Sequence, residues 1–161
     1  MRVYLAADHA GYELKVHLAT YLATQGYEVR DVGPSAFDPE DDYPSYCLHA
    51  GLRVVADPAS LGVVIGGSGN GEQIAANKVA GVRAALAWNV ATAQLAREHN
   101  DANVVSIGAR QHTLDEATEI VEAFLMARFA GDARHARRID QITEYERTGQ
   151  PPPLASPASA G

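Results

Sequence analysis

Short apolar runs alternate along this chain with segments in which apolar residues recur every three or four positions. The runs are typical of buried strands, and the wider spacing is typical of helices with one buried face. The predicted strands are Val3–Ala7, Tyr27–Val32, Gly62–Ile65, Val82–Trp88 and Asn103–Ile107. The predicted helices are one through Leu14 and Leu22 that stops at Gly26, then Ser45–Val55, Glu72–Val79, Val90–Glu98, Leu114–Leu125 and Arg134–Arg147.

Strands that alternate with helices favour a parallel sheet, because each helix returns the chain to the starting edge of the sheet. The sequence therefore predicts a Rossmann-like three-layer α/β/α fold with a five-stranded parallel sheet and helices on both faces. Residues 1–149 are expected to form one domain, since a chain of 161 residues suits a single core. Residues 150–161 are rich in Pro, Ala and Ser and predict a flexible tail.

Composition and charge narrow the classes of function. The net charge of −7 argues against a general nucleic-acid or membrane-surface binder, so an anionic ligand would need a local basic cluster. No apolar run is long enough to cross a bilayer. Cys47 is the only cysteine and lies in an apolar-rich stretch, which predicts a packed thiol in a reducing compartment. With no signal peptide recognisable before the first strand, we expect the cytoplasm.

The most informative segment runs from Leu61 to Lys78, where an apolar strand ends in glycines. Glycines at the carboxyl end of a buried strand allow backbone N–H groups to line a crevice that can hold an oxyanion or a phosphate. Glu72 follows at the start of a helix, so a carboxylate stands beside this crevice. The pairing suits a reaction in which a base creates a negatively charged intermediate, whereas the structural alternative is a plain strand-to-helix turn. We call Gly67, Ser68, Gly69, Asn70 and Gly71 the glycine cradle.

Known cofactor motifs do not account for this segment. Gly66–Gly71 lacks the Gly-Lys-Ser/Thr ending of the phosphate loop of nucleotide hydrolases. The dinucleotide-binding pattern is imperfect, and it follows the third predicted strand instead of the first. No set of His, Cys and Asp shows the spacing of metal ligands. We therefore expect no metal and no organic cofactor.

Polar residues at strand ends extend the candidate site. In folds of this class, ligands bind outside the carboxyl ends of the strands. Asp8 and His9 follow the first predicted strand, and Arg110 follows the fifth. His99 and Asn100 close the fourth helix, which leaves their approach to this edge open. Asp8 would also suit a helix cap, and His99 would suit a helix carboxyl terminus.

The last helix carries a candidate anion clamp. Arg134 and Arg138 lie one turn apart, so their guanidinium groups would converge on one anion. We expect Arg110 to meet them from the sheet side. Arg137 points about 100° away from Arg138 on an ideal helix. The alternative is that Arg134–Arg138 forms a solvated basic face of the helix with no ligand.

Five segments, taken together in this order, carry a family resemblance: Ala7–Lys15, Asp42–Pro44, Gly66–Lys78, Ala96–Asn100 and Arg134–Arg138. The chain resembles the type B ribose-5-phosphate isomerases, within the family that includes allose- and galactose-6-phosphate isomerases. The resemblance extends from Arg2 to about Arg147. It implies interconversion of ribose 5-phosphate and ribulose 5-phosphate through an enediolate, in the non-oxidative pentose phosphate pathway.

The resemblance also implies a role for each candidate residue. Many members use a cysteine directly after the third strand as the base, but that position is Gly66 here. A second branch, which this chain resembles, has a glutamate at the position of Glu72, and Cys47 lies elsewhere. Glu72 would move the proton between C1 and C2, and His99 would open the sugar ring. The glycine cradle would hold the oxyanion; Asp8, His9 and Asn100 would hold or orient the sugar; Arg110, Arg134 and Arg138 would bind the phosphate.

A homodimer with sites at the subunit interface is the assembly that the resemblance implies, although the sequence leaves open which subunit supplies which residue. Two other functions stay open at this stage. A phosphorylated hexose such as allose 6-phosphate would need room for one extra carbon. A non-catalytic sugar-phosphate-binding module would need the arginines but neither Glu72 nor His99, so the presence of both disfavours it.

Overall fold

The computed structural model describes residues 1–154 and has the predicted three-layer α/β/α architecture. The strands are β1 (Arg2–Ala7), β2 (Glu28–Gly33), β3 (Ser60–Gly66), β4 (Ala84–Leu86) and β5 (Val104–Gly108). The helices are α1 (Tyr12–Thr24), α2 (Tyr43–Ala56), α3 (Asn70–Ala76), α4 (Val90–Asn100), α5 (Leu114–Met126) and α6 (Ala133–Thr148). Residues 155–161, the larger part of the predicted tail, lie outside the described residues.

All strand pairs are parallel, and the strand order is β2-β1-β3-β5-β4. After β1 the chain adds β2 on one side and then β3 on the other side. The strand order therefore switches direction between β1 and β3, which is where parallel sheets of this class open a ligand crevice at their carboxyl edge. The residues that follow β1 and β3 are Asp8 with His9 and the glycine cradle.

Strand side chains alternate between two hydrophobic clusters, one on each face of the sheet, because successive residues of a strand point to opposite faces. Leu5 and Ile65 pack with α1, α4 and α5 on one face. Tyr4 and Val64 pack with α2 and α3 on the other face. The nearly continuous apolar runs predicted as strands are the consequence of this double coverage.

The fourth strand is shorter than its apolar run predicted, three residues instead of seven. At its start, Val82 donates its N–H to the carbonyl of Val79 in a turn, 3.0 Å away. At its end, Trp88 donates its N–H to Oγ1 of Thr92 at 3.0 Å and so joins the cap of α4. These turn and cap hydrogen bonds replace strand pairing at both ends.

The outer edge of β4 is covered by one side chain. The N–H of Ala84 donates to Oδ1 of Asn77 at 2.8 Å, and Nδ2 of Asn77 donates to the carbonyl of Ala84 at 2.9 Å. Asn77 directly follows α3, which begins at Asn70 and ends at Ala76 instead of spanning the predicted residues 72–79. Among residues 1–154, no helix is both long and apolar enough to cross a membrane.

Candidate active site

The glycine cradle forms the turn between β3 and α3 at the carboxyl edge of the sheet. Gly69 has a φ of +81°, which favours glycine, and a Cβ atom there would lie 2.7 Å from Cδ1 of Leu86. The hydroxyl of the fully buried Ser106 donates to the carbonyl of Gly69 at 2.6 Å and fixes the turn. Arg110 is held at the same edge, because its backbone N–H donates to the carbonyl of Gly67 at 3.1 Å.

Glu72 is the third residue of α3, and its side chain folds back onto the end of β3. A Cβ atom built on Gly66 would overlap the carboxylate, with even the farther oxygen, Oε2, only 2.5 Å away. The carboxylate therefore occupies the space that a larger residue at position 66 would need. Glu72 is only 4% exposed. Its burial raises the pKa of the carboxyl above the ordinary range, and the negative charge of Asp8 raises it further.

Cys47 lies in α2 on the same face of the sheet as α3 and is fully buried. Burial raises the pKa of its thiol, and the charges of Glu72 and Asp8 add to the effect. A thiol in these surroundings stays protonated and is a poor nucleophile. The structure thus places Cys47 as the packed thiol that the sequence predicted.

Asp8 and His9 follow β1 beside the cradle. Oδ1 of Asp8 accepts from the N–H groups of Ala10 and Gly11 at 3.0 and 3.3 Å, so Asp8 caps the short 3₁₀ turn His9–Gly11. The alternative interpretation of Asp8 as a cap is therefore confirmed. Gly11 is required at the end of this turn, because a Cβ atom there would lie 2.5 Å from the carbonyl oxygen of Ile65.

Two residues of this edge were missed by the sequence analysis as site residues, Asp41 and Tyr43. Asp41 accepts from the N–H of His9 at 2.7 Å. Tyr43, the first residue of α2, approaches so closely that a Cβ atom on Gly71 would lie 2.6 Å from its Cζ. Tyr43 had a signal, because it stands in the segment Asp42–Pro44 that carries the family resemblance. Asp41 had none beyond its place in an acidic loop.

A second group of candidate residues lies where α4 ends and α6 begins. The ring of His99 stacks on that of His135, with centroids 4.2 Å apart and planes 12° apart. His135 is buried, and burial followed by the charges of His99 and Arg134 lowers the pKa of its imidazole. Arg138 lines a groove of about 550 Å³ together with Asn100. His135 was missed as a site residue, although it lies in the quoted segment Arg134–Arg138.

The two groups lie at opposite edges of the sheet within one chain. The cradle follows the carboxyl end of β3, whereas His99 precedes the amino end of β5, which begins at Val104. Five residues of β5 separate these edges, which is roughly 15 Å at a strand rise of about 3.3 Å per residue. The expectation that Arg110 meets Arg134 and Arg138 from the sheet side is therefore wrong for a single chain. Arg110 lies at the carboxyl edge, whereas Arg134 and Arg138 lie beside the end of α4, which runs antiparallel to the strands and ends at the amino edge.

The described residues contain no group of three or more His, Cys, Asp or Glu side chains that could hold a metal ion. The charged or titratable side chains that the structure places beside the cradle include Glu72, Asp8, His9, Asp41 and Arg110. This edge can accept a proton at Glu72 and can offer backbone N–H groups and one guanidinium to an anion.

Comparison with known proteins gives consistent results over almost the whole chain. Residues 3–142 match the model of the family described as Ribose/Galactose Isomerase. The chain is 58% identical over 154 residues to ribose-5-phosphate isomerase B of Mycobacterium tuberculosis (strain H37Rv), covering 96% of this chain and 95% of the relative. It is 38% identical over 146 residues to the Escherichia coli protein of the same name, covering 91% and 97%. The crystal structure of ribose-5-phosphate isomerase B from Mycoplasma genitalium with bound ribulose-5-phosphate is similar with a TM-score of 0.88 and 42% identity, covering 91% of this chain and 97% of that one.

Proposed function

The chain belongs to the ribose/galactose isomerase family and interconverts ribose 5-phosphate and ribulose 5-phosphate. For this reaction we propose that Glu72 carries the proton between C1 and C2. The relatives named ribose-5-phosphate isomerase B cover nearly the full chain, and one of them binds ribulose 5-phosphate. The sequence-based prediction of an aldose–ketose isomerase of the pentose phosphate pathway is thereby confirmed.

The single observation that carries the proposal for Glu72 is its buried carboxylate against Gly66 at the edge of the cradle. A base that removes a proton from carbon works best when its pKa lies closer to the working pH than that of an exposed carboxylate. Burial provides this change in Glu72. The family's alternative base, a cysteine at position 66, would need the space that the Glu72 carboxylate fills, so the two arrangements exclude each other in this conformation.

The glycine cradle is the part of the site that meets the charge of the enediolate. Removal of the carbon-bound proton leaves negative charge on the C1 and C2 oxygens. Backbone N–H groups of Gly67 to Gly71, held in place by the Ser106 and Arg110 contacts, would stabilise that charge without having to reorganise during the reaction. Asp8 and His9 stand beside the cradle, where they would bind sugar oxygens.

The remaining roles require a second copy of the chain. His99 would open the sugar ring, Asn100 would orient the sugar, and Arg134 with Arg138 would bind the phosphate, but all four lie at the opposite edge from Glu72 within one chain. We infer a homodimer in which one subunit supplies the cradle, Glu72 and Arg110, and its partner supplies these four residues. The uncovered apolar side of α6 supports this arrangement, since Ile142 and Tyr145 are 48% and 51% exposed.

The cytoplasm is the location that this function favours, as expected from the sequence. The substrate is an intermediate of central carbohydrate metabolism, and the lone Cys47 is a free, buried thiol that a reducing compartment preserves. Cell fractionation with detection of the protein would test the assignment.

The testing experiment is a coupled assay of ketose formation on ribose 5-phosphate and allose 6-phosphate, with and without a metal chelator. We expect turnover of the pentose phosphate, much slower turnover of the hexose phosphate and no effect of the chelator. Replacing Glu72→Gln keeps size and polarity but removes basicity, so kcat should fall by roughly 10² or more with little change in KM. Near-wild-type turnover of this variant would exclude Glu72 as the base.

A second measurement separates ring opening from proton transfer. His99→Asn should slow turnover of cyclic ribose 5-phosphate far more than the reverse reaction from ribulose 5-phosphate, which cannot close into a furanose with its phosphate on C5. Equal losses in both directions at the chemical step would show that His99 has another role.

A further inference from the structure

Asp41 is a buried carboxylate that the proposed reaction does not use. It lies in the acidic loop between β2 and α2, and its side chain is only 6% exposed. Oδ1 accepts from the backbone N–H of His9 at 2.7 Å and lies 3.0 Å from Nδ1 of the same residue. Oδ2 is buried and has no hydrogen-bond partner among residues 1–154. A carboxylate is rarely buried in a loop unless it holds a specific partner.

These contacts determine which nitrogen of His9 carries a proton. A carboxylate oxygen can only accept, so Nδ1 must be the donor in the contact with Asp41. The other nitrogen, Nε2, makes no hydrogen bond within the described residues, and the side chain is 32% exposed. His9 directly follows β1 at the switch point of the sheet, beside the cradle. Nε2 is therefore the end of the ring that is available to a ligand.

The charges around His9 decide whether Nε2 donates or accepts. Asp41 from the loop and Asp8 from the end of β1 face the ring, and the hydrogen bond to Asp41 is the main reason that the pKa of His9 is raised. Tyr46 of α2 also lies beside Asp41. Burial and the negative charges of Asp41 and Asp38 raise the pKa of the Tyr46 phenol, so Tyr46 stays neutral and adds no charge next to Asp41. A protonated ring donates from Nε2, whereas a neutral ring with its proton on Nδ1 can only accept there.

We propose that Asp41 is a positioning residue, which fixes the His9 imidazole with its proton on Nδ1 and makes Nε2–H a charged donor to an oxygen of the sugar phosphate. The inference deepens the proposed function and rests on it, because the ligand oxygen belongs to that substrate. The same arrangement, in which a carboxylate orients an imidazole that acts at its other nitrogen, recurs in active sites and metal sites. Here it places a histidine cation at a site on a protein of net negative charge.

The first test needs no substrate. NMR titration of the ring nitrogens of His9 should show the Nδ1–H tautomer in the wild-type protein at high pH. In Asp41→Asn the proton affinity of His9 should fall by about tenfold. Glu40→Gln is the matched control, because it removes the same charge from the neighbouring position, where the side chain is exposed, whereas the hydrogen bonds of His9 are to Asp41. An Nε2–H tautomer in the wild-type protein, or equal effects of the two substitutions, would overturn the proposal even if Asp41→Asn folded poorly.

The second test is the pH profile of kcat/KM on ribose 5-phosphate. The ratio of Asp41→Asn to wild type should be near one at about pH 5.5, where both rings are protonated, and should fall by roughly tenfold near pH 8, mostly through KM. The titration of the substrate phosphate cancels in this ratio. A purely structural role of Asp41 predicts a loss that does not vary with pH, which would refute the proposal.

A double substitution distinguishes positioning from an independent effect. In a His9→Asn background there is no ring to orient, so Asp41→Asn should cause little further loss of kcat/KM at any pH. A loss as large as in the wild-type background would count against the inference. If the wild-type protein itself did not turn over ribose 5-phosphate, the proposed function would fail, while the NMR titration would still decide whether Asp41 controls His9.

Discussion

Two inactive variants of this protein should restore activity when they are paired in one dimer. Glu72 stands at the carboxyl edge of the sheet and His99 at the amino edge, roughly 15 Å apart by the length of β5. Groups that transfer protons to one substrate must approach it to about 3 Å. If both residues act on one sugar, as proposed, a single chain cannot bring them to it, whereas in a two-fold dimer each subunit would supply the half-site that its partner lacks.

The expected magnitude follows from counting sites. In a heterodimer of Glu72→Gln with His99→Asn, one site receives both substitutions and the other site receives none. Such a heterodimer, isolated by two different affinity tags, should have about half of the wild-type turnover per dimer. The homodimers of each variant, assayed in the same coupled reaction on ribose 5-phosphate, give the background.

The reciprocal pairing serves as the control. A chain that carries both substitutions, paired with a wild-type chain, leaves one defect in each of the two sites, so its turnover should fall to the level of the single variants. Sites built within one chain predict the opposite pattern, no restoration in the first heterodimer and about half of the wild-type turnover in the second. Observation of that opposite pattern would refute the composite site.

Three further predictions concern single residues. Because burial raises the pKa of Glu72, kcat/KM should begin to decline at a higher pH than it would with an exposed carboxylate as the base. A raised pKa also means that the charged form of Glu72 destabilises the fold, so Glu72→Gln should unfold at a higher temperature at neutral pH. Gly66→Ala should displace the Glu72 carboxylate and lower kcat by roughly tenfold or more while the chain stays folded by circular dichroism; unchanged kcat would show that the carboxylate works from another position. Arg134→Ala and Arg138→Ala should each raise KM and cost about 1.5–3 kcal/mol in kcat/KM, with Arg137→Ala as the milder control; equal and small effects of all three would identify a solvated face.

Local patterns in the sequence were sufficient to predict the layers of the fold. The apolar runs of β3 and β5 predicted buried parallel strands. The spacing of Leu14 and Leu22 predicted a helix that stops at Gly26, and the φ of +84° at Gly26 confirms this stop. The strand order could not be predicted, because every permutation of parallel strands places similar residues inside. The fourth strand was predicted but too long, because its ends are set by hydrogen bonds that Trp88 donates to Thr92 and Val82 donates to Val79, and hydrophobicity does not report them.

The structure brings part of the candidate site together at the carboxyl edge and leaves the rest at the opposite edge. Residues that directly follow strands, such as His9 and Arg110, reach the carboxyl edge by the rule for parallel sheets. His99 lies in the last turn of α4, and that helix runs antiparallel to the strands, so its end lies at the opposite edge of the sheet. Asp41 and His135 act on neighbours distant in sequence, through a hydrogen bond and a ring stack, and nothing in their local sequence specifies those partners.

The side-chain amide of Asn77 has a consequence for aggregation through the edge of the sheet. Strand β4 ends the sheet, and the outward N–H and carbonyl of Ala84 would be free to pair with a strand of another molecule. One side chain satisfies both groups, and Gln73 adds a further hydrogen bond to the same carbonyl at 3.2 Å. Exposed strand edges are the usual starting points of sheet-to-sheet aggregation. Asn77 thus occupies the outward backbone groups of Ala84 on strand β4, which opposes the addition of a further strand at this position.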